Sequence, residues 1–231
     1  VILLFVSCGR GSLSALSTYV GKMVFIKICG ITNLPDALAA IEAGADALGF
    51  NFYRRSPRYI PPGDVRKIIE QLPTNILNIG VFVNEPSLGA VAEIAGAAGV
   101  RGVQLHGDET PDFCHAIKDL YVIKALRVDS RFSESTALAY KTDAVLLDAY
   151  SPTLLGGTGE VFDWSRARER NSLWPKLFLA GGLSPENVRE AIETVKPYGV
   201  DACSCLEISP GVKDQNRVRA FVAAARSGGT P

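Results

Sequence analysis

The stretch Met23-Val-Phe-Ile-Lys-Ile-Cys-Gly-Ile-Thr-Asn-Leu-Pro-Asp-Ala-Leu-Ala-Ala-Ile-Glu-Ala-Gly-Ala-Asp-Ala-Leu-Gly-Phe-Asn-Phe52 reads as strand, helix and strand. Residues 24–29 form a short apolar run, 34–43 carry an amphipathic pattern, and 46–52 are apolar again. Gly44 falls where a helix can end in a left-handed residue. Working outward, the unit repeats. Strands are predicted at 24–29, 46–52, 76–83, 101–105, 120–126, 143–148, 175–180 and 199–204. Helices are predicted at 34–43, 62–72, 86–97, 110–118, 132–140, 163–170, 185–195 and 214–226. Eight strands alternating with eight helices favour a closed parallel barrel over an open doubly wound sheet. The fold class is therefore α/β, a single (β/α)8 TIM barrel over residues 23–226. Gly44-Ala-Asp46, Lys141-Thr-Asp143 and Gly199-Val-Asp201 read as similar helix-to-strand turns. Residues 1–22 are read as an N-terminal extension outside the fold, and 227–231 as a C-terminal tail.

Composition narrows the function classes. A chain of 231 residues, 47% of them hydrophobic, can fill one barrel core. Its 24 basic and 24 acidic residues cancel, so no nucleic-acid or anionic-membrane partner is expected. The apolar run Val1–Val6 is far too short to span a bilayer. Five cysteines, Cys8, Cys29, Cys114, Cys203 and Cys205, show no ladder of paired spacings. They read as reduced thiols in a cytoplasmic protein without a metal site. The Cys203-Ser-Cys205 pair reads as small residues at a strand end, because a structural zinc needs about four ligands.

A parallel barrel carries its chemistry at the carboxyl ends of its strands. Strand alternation points Lys27 and Cys29 to one face and Ile26 and Ile28 to the other. The isoleucines suit the helix layer, which turns Lys27 and Cys29 toward the barrel interior, where an ammonium can lower the thiol pKa. On the sixth strand, Val145-Leu-Leu-Asp148 brings a carboxyl to the mouth, and the next helix starts too late for Asp148 to cap it. Three glycine-bearing segments could hold a phosphate: Gly156-Gly-Thr-Gly159, with Gly157 facing the ligand; Ala180-Gly-Gly-Leu183, with Gly181 and Gly182; and the end of strand 8 at Ser204. Ser184-Pro-Glu-Asn187 is expected to open the following helix. Arg58, in a loop stiffened by Ser56-Pro57, can clamp a carboxylate with two hydrogen bonds. Gln104 and His106 share a face, so one of them is expected to line the pocket; His106 receives no catalytic role.

The segments Lys27–Asn33, Ser56-Pro-Arg58, Gln104-Leu-His-Gly107, Leu146–Asp148, Gly156–Gly159, Leu179–Asn187 and Pro210-Gly-Val-Lys-Asp214, in this order, resemble the phosphoribosylanthranilate isomerase family of tryptophan biosynthesis. The resemblance covers nearly all of residues 23–226. It implies an Amadori rearrangement of N-(5'-phosphoribosyl)anthranilate to 1-(2-carboxyphenylamino)-1-deoxyribulose 5-phosphate, without cofactor or metal. Cys29 would be the general base and Asp148 the general acid, and Arg58 would meet the anthranilate carboxylate. The partner is a phosphorylated small molecule, and the protein a monomer or homodimer. One departure stands out: the family usually reads Ser-Ser-Gly-Val-Glu after strand 8, and here the sequence is Cys203-Ser-Cys-Leu-Glu207. If position 205 needs a positive φ, its cysteine is strained. Two rivals compete with this reading. Another phosphate-binding barrel enzyme would need a metal with more histidines, or a catalytic lysine with glutamates. A barrel that binds without turnover would have no need for Cys29 and Asp148.

Overall fold

The computed structural model describes residues 23–128, 137–148 and 176–228. Eight parallel strands close into a barrel in chain order. They are β1 (Phe25–Ile28), β2 (Ala47–Asn51), β3 (Leu77–Phe82), β4 (Gly102–Leu105), β5 (Tyr121–Arg127), β6 (Ala144–Asp148), β7 (Leu177–Ala180) and β8 (Gly199–Ala202). The described helices are α1 (Leu34–Ala43), α2 (Pro62–Ile69), α3 (Leu88–Ala98), α4 (Pro111–Ala116), α5 (Val188–Val195) and α6 (Gln215–Ser227). The predicted helix at 163–170, most of that at 132–140, and both terminal segments beyond 23–228 lie outside the described residues.

Strand alternation builds two separate cores. Ala47, Ile79, Ile123, Ala125, Ala144, Leu146, Phe178 and Ala180 fill the barrel. Ile26, Ile28, Val145 and Leu147 pack outward against helix residues such as Ala37, Ala40 and Phe221. This is the division that the alternation of β1 predicts. Local chemistry sets the element ends. The Asn33 side chain caps α1 by accepting from Asp36 N at 2.9 Å, and Gly44 closes the helix at φ 103°.

Two of the three repeated turns behave alike. Asp46 accepts from Ile26 N at 2.7 Å, and Asp143 accepts from Val122 N at 2.8 Å. The third does not. The helix before it ends earlier, at Lys196 with φ 52°, so Gly199 already starts β8 and Asp201 stands inside the strand opposite Lys27. The helix expected at 185 begins at Val188 instead, because Asn187 folds back on the preceding turn. Its side chain accepts from Ser184 N at 2.8 Å and donates to Gly182 O at 3.0 Å. After β8 the chain adds features not read from the sequence: a 3-10 turn at Ser204–Leu206, then an antiparallel pair, β9 (Glu207–Ser209) and β10 (Val212–Lys213).

Candidate active site

At the carboxyl end of the barrel a cavity of about 200 Å³ is lined by Cys29, Arg58, Gln104, His106, Asp148, Gly181, Gly182, Ser204 and their neighbours. Every described residue that the sequence assigned to catalysis or binding is therefore at one mouth. Gly157 lies outside the described residues. A second cavity of about 290 Å³ opens on the far side of His106, between Asn84, Lys124, Arg127 and Tyr140. It is the larger, yet Cys29 and Asp148 line only the first.

Beneath Cys29, the buried Lys27 ammonium meets Asp201 at 3.0 Å. Gly49 on β2 makes the space, since a Cβ there would stand 2.7 Å from Cys29 Sγ and 3.0 Å from Lys27 Nζ. The Cys29 thiol is held well below the ordinary thiol range. A hydrogen bond with Cys203 is the largest cause; burial opposes it, and the Lys27 and Lys213 charges add to it. Burial works against the Lys27 charge too, but Asp201 and Cys29 outweigh it and raise its pKa. Burial also pushes Asp201 up to about 7 against the pull of Lys27. Both shifts favour the protonated form, so the pair leans positive under the sulfur.

A second charge cluster closes the β8 side. Arg58 binds Glu207 through Nε at 2.8 Å and Nη2 at 2.7 Å, and Lys213 Nζ donates to the same carboxylate at 3.0 Å. Burial alone would raise the Glu207 pKa, but these two cations keep it below the usual carboxylate range. The expected carboxylate clamp is thus half engaged: Glu207 holds the Nε edge of Arg58 and leaves the Nη1 end. With Lys27, Lys213 is a second buried ammonium whose charge favours a thiolate at Cys29. The Lys213 backbone is pinned in turn, its N–H donating to Asp36 Oδ2 at 2.8 Å and its loop held by Thr32 bonding Gly211 O. Glu207 and Lys213 were not chosen as site residues from the sequence, where only the turn at Pro210-Gly211 marks their hairpin.

On the opposite wall, Gln104 Nε2, His106 and Asp148 form a chain. Gln104 lies 3.0 Å from His106 Nδ1, and His106 Nε2 lies 3.2 Å from Asp148 Oδ2. Both Gln104 and His106 thus line the cavity, where one of the two was expected; their i+2 spacing was the available signal. The His106 loop is fixed by a buried ion pair. Lys124 Nζ meets Glu109 Oε2 at 2.7 Å and Gly107 O at 2.7 Å, while Glu109 accepts from Asn84 N at 2.8 Å. A lysine within the apolar run of β5 was its only sequence signal.

The loops after the neighbouring strands β7 and β8 both line the cavity. Gly181 and Gly182 adopt φ of 89° and 69°, the left-handed region that a Cβ disfavours. Arg217 bridges the two loops, donating to Cys205 O at 2.7 Å and pairing with Glu186 at 3.0 Å. The strain expected at Cys205 is absent. Cys205 is not among the positive-φ residues and lies in the 3-10 turn, whose right-handed backbone any L-residue can adopt. Among the described residues no His, Cys, Asp and Glu group is arranged to hold a metal ion, and no helix is long and apolar enough to cross a membrane.

A closed (β/α)8 barrel whose strand ends gather a thiol of lowered pKa, a carboxyl and glycine-bearing loops around one cavity has the architecture of a barrel enzyme. Residues 26–224 match the family model of N-(5'-phosphoribosyl)anthranilate (PRA) isomerase. The enzyme of that name from Geobacter sulfurreducens is 51% identical over 204 residues, 88% of this chain and 99% of its own. The crystal structure of phosphoribosyl anthranilate isomerase from Thermotoga maritima superposes with a TM-score of 0.83 at 44% identity, covering 89% of this chain and all of that one. A structure of the isomerase in complex with reduced 1-(o-carboxyphenylamino)-1-deoxyribulose 5-phosphate gives 0.80 at 42% identity, with 89% and 100% coverage. The chain belongs to the N-(5'-phosphoribosyl)anthranilate isomerase family. It is an isomerase of tryptophan biosynthesis, converting N-(5'-phosphoribosyl)anthranilate to 1-(2-carboxyphenylamino)-1-deoxyribulose 5-phosphate.

Proposed function

We propose that Cys29 is the general base and Asp148 the general acid of this rearrangement. Asp148 protonates the ribose ring oxygen while the amine nitrogen lone pair opens the C1'–O bond to a protonated Schiff base. The Cys29 thiolate then takes the C2' proton, and the C–H electrons neutralise the iminium as an enolamine. Tautomerisation returns a proton to C1' and leaves the ketone at C2'. The net change moves hydrogen from C2' to C1', so no electrons enter or leave. The reading is carried by one observation: Cys29, held toward its thiolate, and Asp148 line the same cavity.

The Gln104–His106–Asp148 chain fits both states of the acid. With Gln104 Nε2 donating to Nδ1, His106 carries its proton on Nε2 and donates to an ionised Asp148. With the amide turned, Gln104 Oε1, which has no partner in its present orientation, accepts from Nδ1–H. A protonated Asp148 then donates to Nε2. In the same reading, backbone N–H groups at Gly181, Gly182 and Ser204, with Gly157, hold the phosphate, and the Nη1 end of Arg58 meets the anthranilate carboxylate. The four described cysteines are unbridged, in keeping with a cytoplasmic setting.

Loss of phosphoribosylanthranilate fluorescence, with substrate made in situ, tests the assignment. Cys29→Ser and Asp148→Asn should each lower kcat by about a hundredfold or more, with little change in KM. A near-normal kcat in either variant removes that residue from the mechanism.

A further inference from the structure

Cys203 has no step in the mechanism above, yet it is the group most intimately placed against Cys29. The β1–β8 register runs from Phe25 opposite Gly199 to Ile28 opposite Ala202, and Cys29 N continues it by donating to Ala202 O at 2.9 Å. Position 203 is therefore the next neighbour of position 29. Adjacent strands lie about 4.8 Å apart, within the roughly 4.4–6.8 Å between Cα atoms that a disulfide accepts. The Cys203 side chain leans over the exit of β1, since a Cβ on Gly30 would come within 2.8 Å of its sulfur. Both thiols line the cavity from which a small solute would reach them, and the Cys203 thiol donates to Glu207 Oε1 at 3.8 Å.

We propose that Cys29 and Cys203 form a reversible disulfide under hydroperoxide, so that oxidation stops isomerisation and thiol reductants restore it. The proposal rests on the base role of Cys29 given above. In the first step the Cys29 thiolate attacks the peroxide; an S–O bond forms, the O–O bond breaks, and the departing alkoxide or hydroxide takes a proton. Cys29 is now a sulfenic acid, oxidised by two electrons. In the second step the Cys203 sulfur attacks that sulfur; the S–S bond forms, the S–O bond breaks, and hydroxide leaves with the Cys203 proton as water.

The charges around Cys203 change in favour of the second step. Its thiol is held well above the usual range first by its hydrogen bond to Cys29 and then by burial, against the pull of Lys213 and Arg58. Oxidation of Cys29 to a neutral sulfenic acid removes the anion behind the first cause. Lys213 Nζ, 3.9 Å from Cys203 Sγ, and Arg58 then act on Cys203 without that opposition. The catalytic thiolate both attracts the oxidant and, once oxidised, releases its neighbour to react.

The test compares the full-length enzyme with Cys203→Ser, each treated with hydrogen peroxide and then dithiothreitol, with turnover and peptide masses read at each stage. The wild-type chain should lose at least nine-tenths of its turnover, yield a Cys29–Cys203 linked peptide lighter by two hydrogens, and recover nearly all its rate. In Cys203→Ser, Cys29 should gain oxygen as the irreversible sulfinic acid, and turnover should not return. A Cys203–Cys205 link in place of the 29–203 link, or equal recovery in the two proteins, overturns the proposal. A complete 29–203 link with turnover intact supports the cross-link and overturns the base role of Cys29, so the two readings fail separately.

Discussion

The base role proposed for Cys29 depends on the charges that surround it. Lys27 and Lys213 are wholly buried ammonium groups, each tied to a carboxylate, and Cys203 lies beside the sulfur while its thiol donates to Glu207 at 3.8 Å. A group whose pKa is depressed in the folded protein is active above that pKa and loses activity as pH falls through it. Removing one cation must therefore move the acid limb upward. For Lys27→Met we predict that the acid limb of kcat/KM, and the pH at which the Cys29 thiolate absorbs, both rise by about one unit. Asp201, already raised by burial, would then be protonated through neutral pH. An unmoved limb would mean that Cys203 and Lys213 suffice to hold the thiolate.

The elements at the mouth are held by polar contacts rather than by apolar packing. Lys124 and Glu109, both almost completely buried, fix the loop that presents His106 to Asp148. Removing one partner of such a pair leaves a buried charge uncompensated. For Lys124→Met we predict a stability loss of about 3 kcal/mol or more in urea melts, with a fall in kcat as the His106 loop loosens. Normal stability and rate would make the pair dispensable. The loop after β8 leads to an opposite expectation. Cys205 has ordinary backbone geometry, and its carbonyl is pinned by Arg217. For Cys205→Gly we predict product affinity within about twofold of wild type by titration, and a loss of about 0.5–1 kcal/mol from the added backbone freedom. A tenfold gain in affinity would revive a steric conflict at that position.

Across the whole molecule, stability and catalysis draw on different cores. The layer between sheet and helices carries most of the buried apolar side chains, while the barrel interior is smaller and gives way at its mouth to Lys27, Cys29, Gln104, Asp148 and Asp201. Phe221 on α6 is completely buried in the outer layer, far in role from the mouth. For Phe221→Ala we predict a loss of about 3–5 kcal/mol in chemical denaturation, with kcat nearly unchanged at temperatures where the variant stays folded. A large fall in kcat in the folded variant would show the two cores to be coupled.

The sequence by itself determined the barrel, because the period-two alternation of strands and the capped helices between them are local properties. It also put Cys29 and Asp148 at the same mouth, since a strand's direction decides which end of the barrel its last residue reaches. Asp201 fell inside the strand expected at 199–204, yet was also likened to the turn residues Asp46 and Asp143; the structure keeps it in the strand, because Gly199 already starts β8. The partners of the site were illegible for a different reason. Lys27 with Asp201, Arg58 with Glu207 and Cys29 with Cys203 lie 149 to 174 residues apart. Only closure of β1 onto β8 brings them together. His106 falls between these cases: its place on β4 was visible, but its bond to Asp148 crosses the mouth between strands that are not neighbours. Local patterning specifies where each strand ends; barrel closure decides which charges meet there, and so which thiol has its pKa lowered.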